Sequence, residues 1–354
     1  MRRGFERSKA DFGADRAATL ASVAAAAGVS RQTVSNIFNA PHKVQLATRR
    51  RVEAEIARQG YRPNRSARSL RIQRSGLVGY CVKPPSPAGD PIMDRFVHSL
   101  CQAAERDAYH VLLFAATPDG PMAAYEHLVA QQAVDGFVIS DTTVDDARQE
   151  WFQRRGVPFA AFGRRWSGPE IGAWIDIDGA AGVAAAVHHL AELGHRRLAF
   201  IGWPEGSGVG DDRCRGFREA AVERGLAVAG IAHTVNHYDD GRRAAAELLA
   251  QADPPTAVVC VSDELAVGCD TAIRDRDLVP GRDVAVTGFD DTSSAALPTV
   301  SLTSVRQPLQ EVGDHVVRLL VDALRDPGAD PEHVLLVPEL VVRHSTDHPD
   351  RTVP

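Results

Sequence analysis

Two rhythms of apolar residues divide the chain. Between Thr19 and Tyr61 they recur at three- and four-residue steps: Leu20, Val23, Ala24 and Ala27, then Val34 and Ile37, then Val52 and Ile56. That spacing lines one face of a helix. From Leu77 onward the apolar residues come in short runs, "LVGYCV", "HVLLFA", "DGFVIS", "VPFAAF", "RRLAFIG", "AVVCVS" and "DVAVTGF", separated by stretches with helical spacing. Short buried strands alternating with amphipathic helices specify parallel sheets covered by helices on both faces, and these runs are too many for one comfortable sheet.

The first rhythm predicts three helices. Thr19 caps one over about 20 to 27; Gly28 permits a tight reversal and Val29 fills the corner; Ser30 caps a second helix whose inward face is Val34 and Ile37. This pair is a helix-turn-helix. A third helix runs from about Leu46 to Gln59, stops at Gly60, and Tyr61 packs back on the bundle. The free faces of the second helix carry Arg31, Gln32, Ser35 and Asn36, side chains that form forked hydrogen bonds to base edges. The next segment, "YRPNRSARSLRIQRSG", is too rich in Arg to hold a helix alone and is expected to order only on a partner. "KPPSPAGDP", starting at Lys83, reads as an extended loop.

Charge sharpens this division. Residues 1 to 75 hold 16 Lys and Arg against 5 Asp and Glu, a net of +11, and the rest of the chain carries 24 against 41, a net of −17. A basic head on an acidic body points the head at a polyanion. The 354 residues, 44% hydrophobic, suffice for two or three compact units. The chain has no run of 18 apolar residues, and charges fill "MRRGFERSKADFGADR" where a signal peptide needs an apolar stretch, so a cytoplasmic protein with no membrane partner is expected. Five cysteines form no CxxC pair, which argues against a disulfide framework or a zinc site. "GWPEGSGVG" lacks the Gly-Lys-Ser/Thr of a phosphate loop, and no GxSxG elbow appears. No catalytic residue, metal or cofactor is therefore expected. The rival reading is an α/β enzyme acting on a small polar metabolite.

Residues 19 to 74 resemble the DNA-binding head and hinge of the LacI/GalR family of bacterial repressors through "TLASVAAAAGVSRQTVSNIFN", "TRRRVEAEIARQGYRPN" and "ARSL". "HHLAELGHRRLAFIG", "AVVCVSDELAVG", "DVAVTGFDDT", "LTSVRQP" and "LVVRHS" extend the resemblance through the body. The basic stretch over residues 1–18 reads as an extension with no fixed structure, and the resemblance implies an all-α helix-turn-helix headpiece over 19–62 and a hinge over 63–74. It further implies a two-lobed α/β body over 75–354, like periplasmic binding proteins, with parallel sheets flanked by helices. The N-lobe would comprise about 75–176 and 308–334, and the C-lobe about 177–306 and 335–354. The function implied is a homodimeric repressor that binds a near-palindromic DNA operator under control of a small-molecule effector held between the lobes.

By the same resemblance, Arg31, Gln32 and Asn36 read bases, while Ser30, Thr33, Ser35, Asn39 and Thr48 contact phosphate. In the hinge, Leu70 wedges into the minor groove with Ala67 and Arg68 beside it. Arg213 and Asp290 are polar anchors for the effector on one lobe, with Gln307 near the crossing strands; Ser140 and Ser262 are further candidate contacts and Tyr238 a lesser candidate for an aromatic wall. Asp291 reads as a turn residue. The chain also departs from the family pattern. Gln45 stands where Ser commonly caps the third helix, Ser262 where sugar-binding members often have Asn, Gly163 where Asp is common, and Lys83 where a small hydroxyl residue is frequent. Lys83, Arg164 and Arg213 could surround an anion, so an acidic or phosphorylated effector rivals a neutral sugar.

Overall fold

A computed structural model describes residues 18–61, 74–83, 90–116 and 120–347. The N-terminal extension up to residue 17, the hinge residues Ala67, Arg68 and Leu70, and the Pro-rich stretch after Lys83 lie outside the described residues. The chain forms two compact units, one ending at Arg74 and the other beginning at Ser75.

The head is three helices: α1 (Leu20–Ala26), α2 (Arg31–Asn39) and α3 (Leu46–Gln59). Thr19 and Ser22 form a reciprocal capping box at the start of α1, and the Ser22 hydroxyl also lies 2.7 Å from Gln59 Oε1, joining α1 to α3. Gly28 takes φ +62° in the turn, and Ser30 Oγ accepts from the Thr33 N–H to start α2. Gly60, also at φ +62°, ends α3, after which Tyr61 turns back with its N–H on Ile56 O at 3.0 Å. Val23, Ala24, Ala27, Val34, Ile37, Val52 and Tyr61 make the core. With so few apolar side chains, each contributing roughly 1.5–3 kcal/mol when fully buried, this unit stands close to the margin of stability.

The body holds two six-stranded sheets. In the first, β1 (Leu77–Val82), β2 (His110–Ala115), β3 (Gly136–Ile139), β4 (Phe159–Phe162), β5 (Ala173–Ile177) and β11 (His333–Leu336) are ordered β11-β5-β4-β3-β1-β2, all parallel. The second comprises β6 (Arg197–Gly202), β7 (Ala227–His233), β8 (Ala257–Cys260), β9 (Ala285–Phe289), β10 (Thr303–Arg306) and β12 (Glu339–Val341), ordered β12-β10-β9-β8-β6-β7, with only β12 antiparallel. The two sheets repeat one topology. In each, the strand order reverses between the first and third strands of the lobe, β1 and β3 or β6 and β8, and in such sheets ligands bind beyond the carboxyl ends at that reversal.

The connecting helices follow from strand chemistry on one side and small residues on the other. In the first lobe these are α4 (Pro91–Arg106), α5 (Pro121–Ala130), α6 (Ala147–Arg155) and, returning late in the chain, α11 (Leu309–Arg325). In the second they are α7 (Gly179–Glu192), α8 (Val209–Glu223), α9 (Tyr238–Leu249) and α10 (Asp263–Arg274). Gly79 sits in β1 because the Phe137 ring occupies the space a Cβ would need, 2.6 Å away. Phe137, Phe152, Phe159 and Tyr125 close an aromatic core on that face of the first sheet. The chain crosses between lobes three times: after Ile177, after Arg306 and after Leu336. Asp178 is fixed at one crossing by its N–H on Leu336 O, 2.8 Å away, so two crossings are stitched side by side.

Candidate functional sites in the head and the body

On α2 the fold separates the residues as the periodicity requires. Val34 and Ile37 are buried, Arg31 and Gln32 are exposed, and Thr33, Ser35 and Asn36 are half-buried. Gln32 Nε2 donates to Asn36 Oδ1 at 2.8 Å, so these two amides are aligned along one stripe, with the Gln32 carbonyl and the Asn36 amino group left outward. Among the described residues Arg31 has no carboxylate partner. Its fork is therefore available to an outside acceptor.

Beside α2 lies a hollow of about 290 Å³ lined by Thr33, Asn36, Lys43, Gln45, Thr48 and Arg51, among others. The start of α3 opens into it. Gln45 holds the cap position without a side-chain hydrogen bond, as its chemistry predicted, so the first N–H groups of α3 are not capped from within. Two hydroxyls, two cations and a bare helix start converge there, a combination suited to a phosphate oxygen. Thr33 and Thr48 are thus brought together, and the Ser30 hydroxyl joins Thr33 Oγ1 at 2.9 Å. Asn39 closes α2.

In the body, the carboxyl ends of the strands bring in Lys83 after β1, Ser140 after β3, Arg164 shortly after β4, Trp203 after β6, Ser262 shortly after β8 and Asp290 after β9. The second lobe supplies the most tightly held group. Arg213 on α8 is 5% exposed, and its Nη1 donates to Val261 O at 2.7 Å. Its guanidinium carbon lies 3.5 Å from the Phe289 ring centroid and 5.3 Å from that of Trp203, sandwiched between two aromatic faces. Burial pulls this guanidinium below its usual range, against the pull of Asp290 and three further carboxylates. Arg213 Nε and Trp203 Nε1 are buried donors without a partner among the described residues.

Asp290 stands 3.9 Å from Arg213 and accepts a 2.6 Å bond from Gln307 Nε2. Its φ of +113° is strained for a residue with a side chain, and its N–H is fixed on Val305 O. Burial pushes its carboxyl up to about 7, partly offset by Arg213 and reinforced by nearby Asp263. Asp263, raised to about 6 mainly by burial, accepts from the Thr292 N–H, the Thr292 hydroxyl and the Ser304 hydroxyl. Arg213, Asp290 and Gln307 therefore meet. Asp291 does more than turn the chain: its carboxylate clamps Arg306 and Arg343 at 2.7 and 2.5 Å, bracing the crossing strand.

The other candidates have partners of their own. Ser140 Oγ is 2.7 Å from the Tyr80 hydroxyl, and Lys83 Nζ is 2.9 Å from Asp141. Ser262 caps α10 and bonds Asn236 Oδ1 at 2.5 Å. Arg164 is bonded to Asp176 at 2.9 Å and Asp212 at 3.2 Å. Tyr238 starts α9 and gives its hydroxyl to Thr271 on α10, 3.0 Å away, while the aromatic faces around Arg213 come from Trp203 and Phe289. Sequence reasoning missed those two rings, together with Tyr80, Asp176 and Asp212. Phe289 stands in "DVAVTGFDDT" and Trp203 in "GWPEGSGVG", but nothing local in either segment marks its ring as a neighbour of Arg213.

Residues 19–64 match the family described as "Bacterial regulatory proteins, lacI family", and residues 187–346 match "Periplasmic binding protein-like domain". The HTH-type transcriptional regulator AglR of Rhizobium meliloti (strain 1021) is 32% identical over 334 residues, covering 92% of this chain and 93% of AglR. Among solved structures, the complex of transcriptional regulator CelR with cellobiose is 31% identical, covers 93% of this chain and 99% of that one, and has a TM-score of 0.70. The lac repressor dimer bound to operator and the anti-inducer ONPF is 26% identical over 94% of this chain and 100% of that one, with a TM-score of 0.80. Among the described residues no helix is long and apolar enough to cross a membrane.

Proposed function

The chain belongs to the LacI family of bacterial regulatory proteins, DNA-binding transcriptional regulators that act as dimers, and on that premise we propose that it is a repressor whose grip on its operator is set by a neutral, polyhydroxylated effector in the cleft between the lobes. The arrangement of Arg213, Asp290 and Gln307 carries this reading. A carboxylate accepts two hydroxyl hydrogens, a guanidinium and an amide donate to hydroxyl or ring oxygens, and the half-buried Trp203 offers an aromatic edge to the apolar face of a sugar ring, while the buried Phe289 ring backs Arg213. The solved CelR complex, with cellobiose, supports this effector class.

The acidic alternative is disfavoured by charge balance. Lys83 is matched by Asp141, Arg164 by Asp176 and Asp212, and Arg213 by Asp290, with Asp263 close behind. An incoming phosphate would meet more carboxylates than cations. On the DNA side, Arg31, Gln32 and Asn36 take the base edges of the major groove, and Ser30, Thr33, Ser35, Asn39 and Thr48 hold phosphates that fix register. Ala67, Arg68 and Leu70 enter the minor groove at the centre of the site, so the hinge orders on DNA. Effector and operator then change each other's affinity by the same factor.

Calorimetry of the full-length protein with cellobiose, maltose and glucose 6-phosphate tests the effector class. Binding of a neutral disaccharide that is lost in Asp290→Ala and unaffected in Lys83→Ala supports it. Binding of the phosphorylated sugar alone, dependent on Lys83, overturns it. Recovery of the bound sugar unchanged separates a regulator from an enzyme built on the same body.

A further inference from the structure

The loop between β4 and β5 makes contacts that cross from one lobe to the other. Arg164 Nε and its backbone N–H both donate to Asp176 on β5, at 2.9 and 3.2 Å, which fixes the side chain against its own lobe. The same guanidinium then reaches across: Nη2 donates to Asp212 Oδ2 on α8 of the second lobe at 3.2 Å. Asp212 is 8% exposed and held in turn, its Oδ2 accepting from the Ala180 N–H at 3.1 Å and its Oδ1 from Arg215 at 2.6 Å. Two residues after Arg164, the Trp166 ring stacks on the guanidinium at 4.7 Å and anchors its indole N–H on Thr142 Oγ1 at 3.2 Å. That ring also lies against the backbone of Gly208, which takes φ +63° immediately before α8; a Cβ there would come 2.6 Å from it.

We propose that the Arg164–Asp212 ion pair, with Trp166 laid on Gly208, is a built-in tie that holds the two lobes together along α8 whether or not effector is bound. Three physical features make the tie strong. Its side chains are 19% and 7% exposed, so salt screens it weakly. The planar fork of Arg bridges two carboxylates at once, which a lysine ammonium would do poorly. Withdrawing Arg164 would leave Asp176 and Asp212 buried with one cation fewer, so opening at this edge is opposed by desolvation as well as by lost attraction. The effector therefore enters a cleft already closed on one side. This inference concerns closure alone and holds for any effector chemistry.

Hydrogen exchange of the full-length protein without ligand tests it, followed by mass spectrometry of peptides spanning 160–167, 177–183 and 206–214. Arg164→Ala removes the pair, Asp212→Asn removes its charge while keeping an acceptor for Ala180, and Gly208→Ala, clashing with Trp166 and strained at φ +63°, displaces the ring stacked on Arg164 while leaving both charges in place. All three are expected to speed exchange in those peptides by roughly tenfold or more, while the central strands β6 and β8 keep wild-type rates. Arg164→Lys is expected to fall between wild type and Arg164→Ala. Unchanged rates in all three variants, or equal acceleration through β6 and β8, would overturn the proposal, the second because it signals loss of overall stability instead of a released edge.

Discussion

The stripe on α2 and the buried cluster around Arg213 are both built from Arg and amide side chains, yet in opposite ways. Arg31 and Gln32 stand in solvent, and the bond from Gln32 to Asn36 lines up two amides. Arg213 is buried between two rings and bonded to backbone, with its carboxylate partner shifted to about 7 by the same burial. The difference shows how environment assigns a role. An exposed fork can meet whichever base edge the groove presents, while a buried one is fixed in place before its ligand arrives and so selects by shape and hydrogen-bond geometry.

The most severe break in this contrast is Arg213→Ala. It leaves Asp290 buried without its cation, and a loss of about 3–5 kcal/mol in body stability is expected from urea unfolding well above pH 7, where the carboxyl is ionised. A loss below 1 kcal/mol would mean that the pocket tolerates an unpaired carboxylate and is wetter than its burial implies. Arg31→Ala is expected to leave the unfolding midpoint within error of wild type. It relaxes discrimination at one operator base pair by about 1–3 kcal/mol, measured by competition among single-base variants. Uniform weakening over all sequences would move Arg31 to the phosphate-contacting set.

Proton linkage at Asp290 sharpens the comparison further. The folded Asp290 carboxyl, at about 7, binds its proton more tightly than an unfolded Asp near 3.9. Its contribution to stability is thus full below about pH 4 and is lost as pH rises through about 7. Wild type is expected to lose stability relative to Asp290→Asn across that window, by up to roughly 1.4 kcal/mol per pH unit. A flat difference between the two denaturation series would show that Asp290 stays ionised. The smallest effect is expected in the head: Gln45→Ser supplies the missing cap of α3 and raises head stability by about 1 kcal/mol in thermal unfolding. No gain would mean that the helix start is already satisfied.

Much of the fold was legible because its signals are local. Helix α3 runs from Leu46 to Gln59 as its caps and periodicity indicate, and β1 and β2 coincide with the apolar runs "LVGYCV" and "HVLLFA". Strand β7, "AVAGIAH", escaped detection because its alanines and glycine carry little strand signal, and β5, "AWIDI", because an Asp interrupts it. In the pocket, Arg213, Asp290 and Gln307 could be named beforehand through the family resemblance. The partners that set their chemistry could not.

The sequence by itself determined the helical head, its basic charge, the outward Arg and amide stripe, and the alternation that makes two parallel sheets. Each of these depends on residues within a turn or a strand of one another, where side-chain periodicity and capping act directly. Tertiary structure alone decided that Arg164 would join Asp176, twelve positions away, to Asp212, forty-eight positions away, and that Trp203 and Phe289 would enclose Arg213. Which charge is buried, and beside what, depends on where chain crossings bring distant segments, and no local pattern encodes that distance.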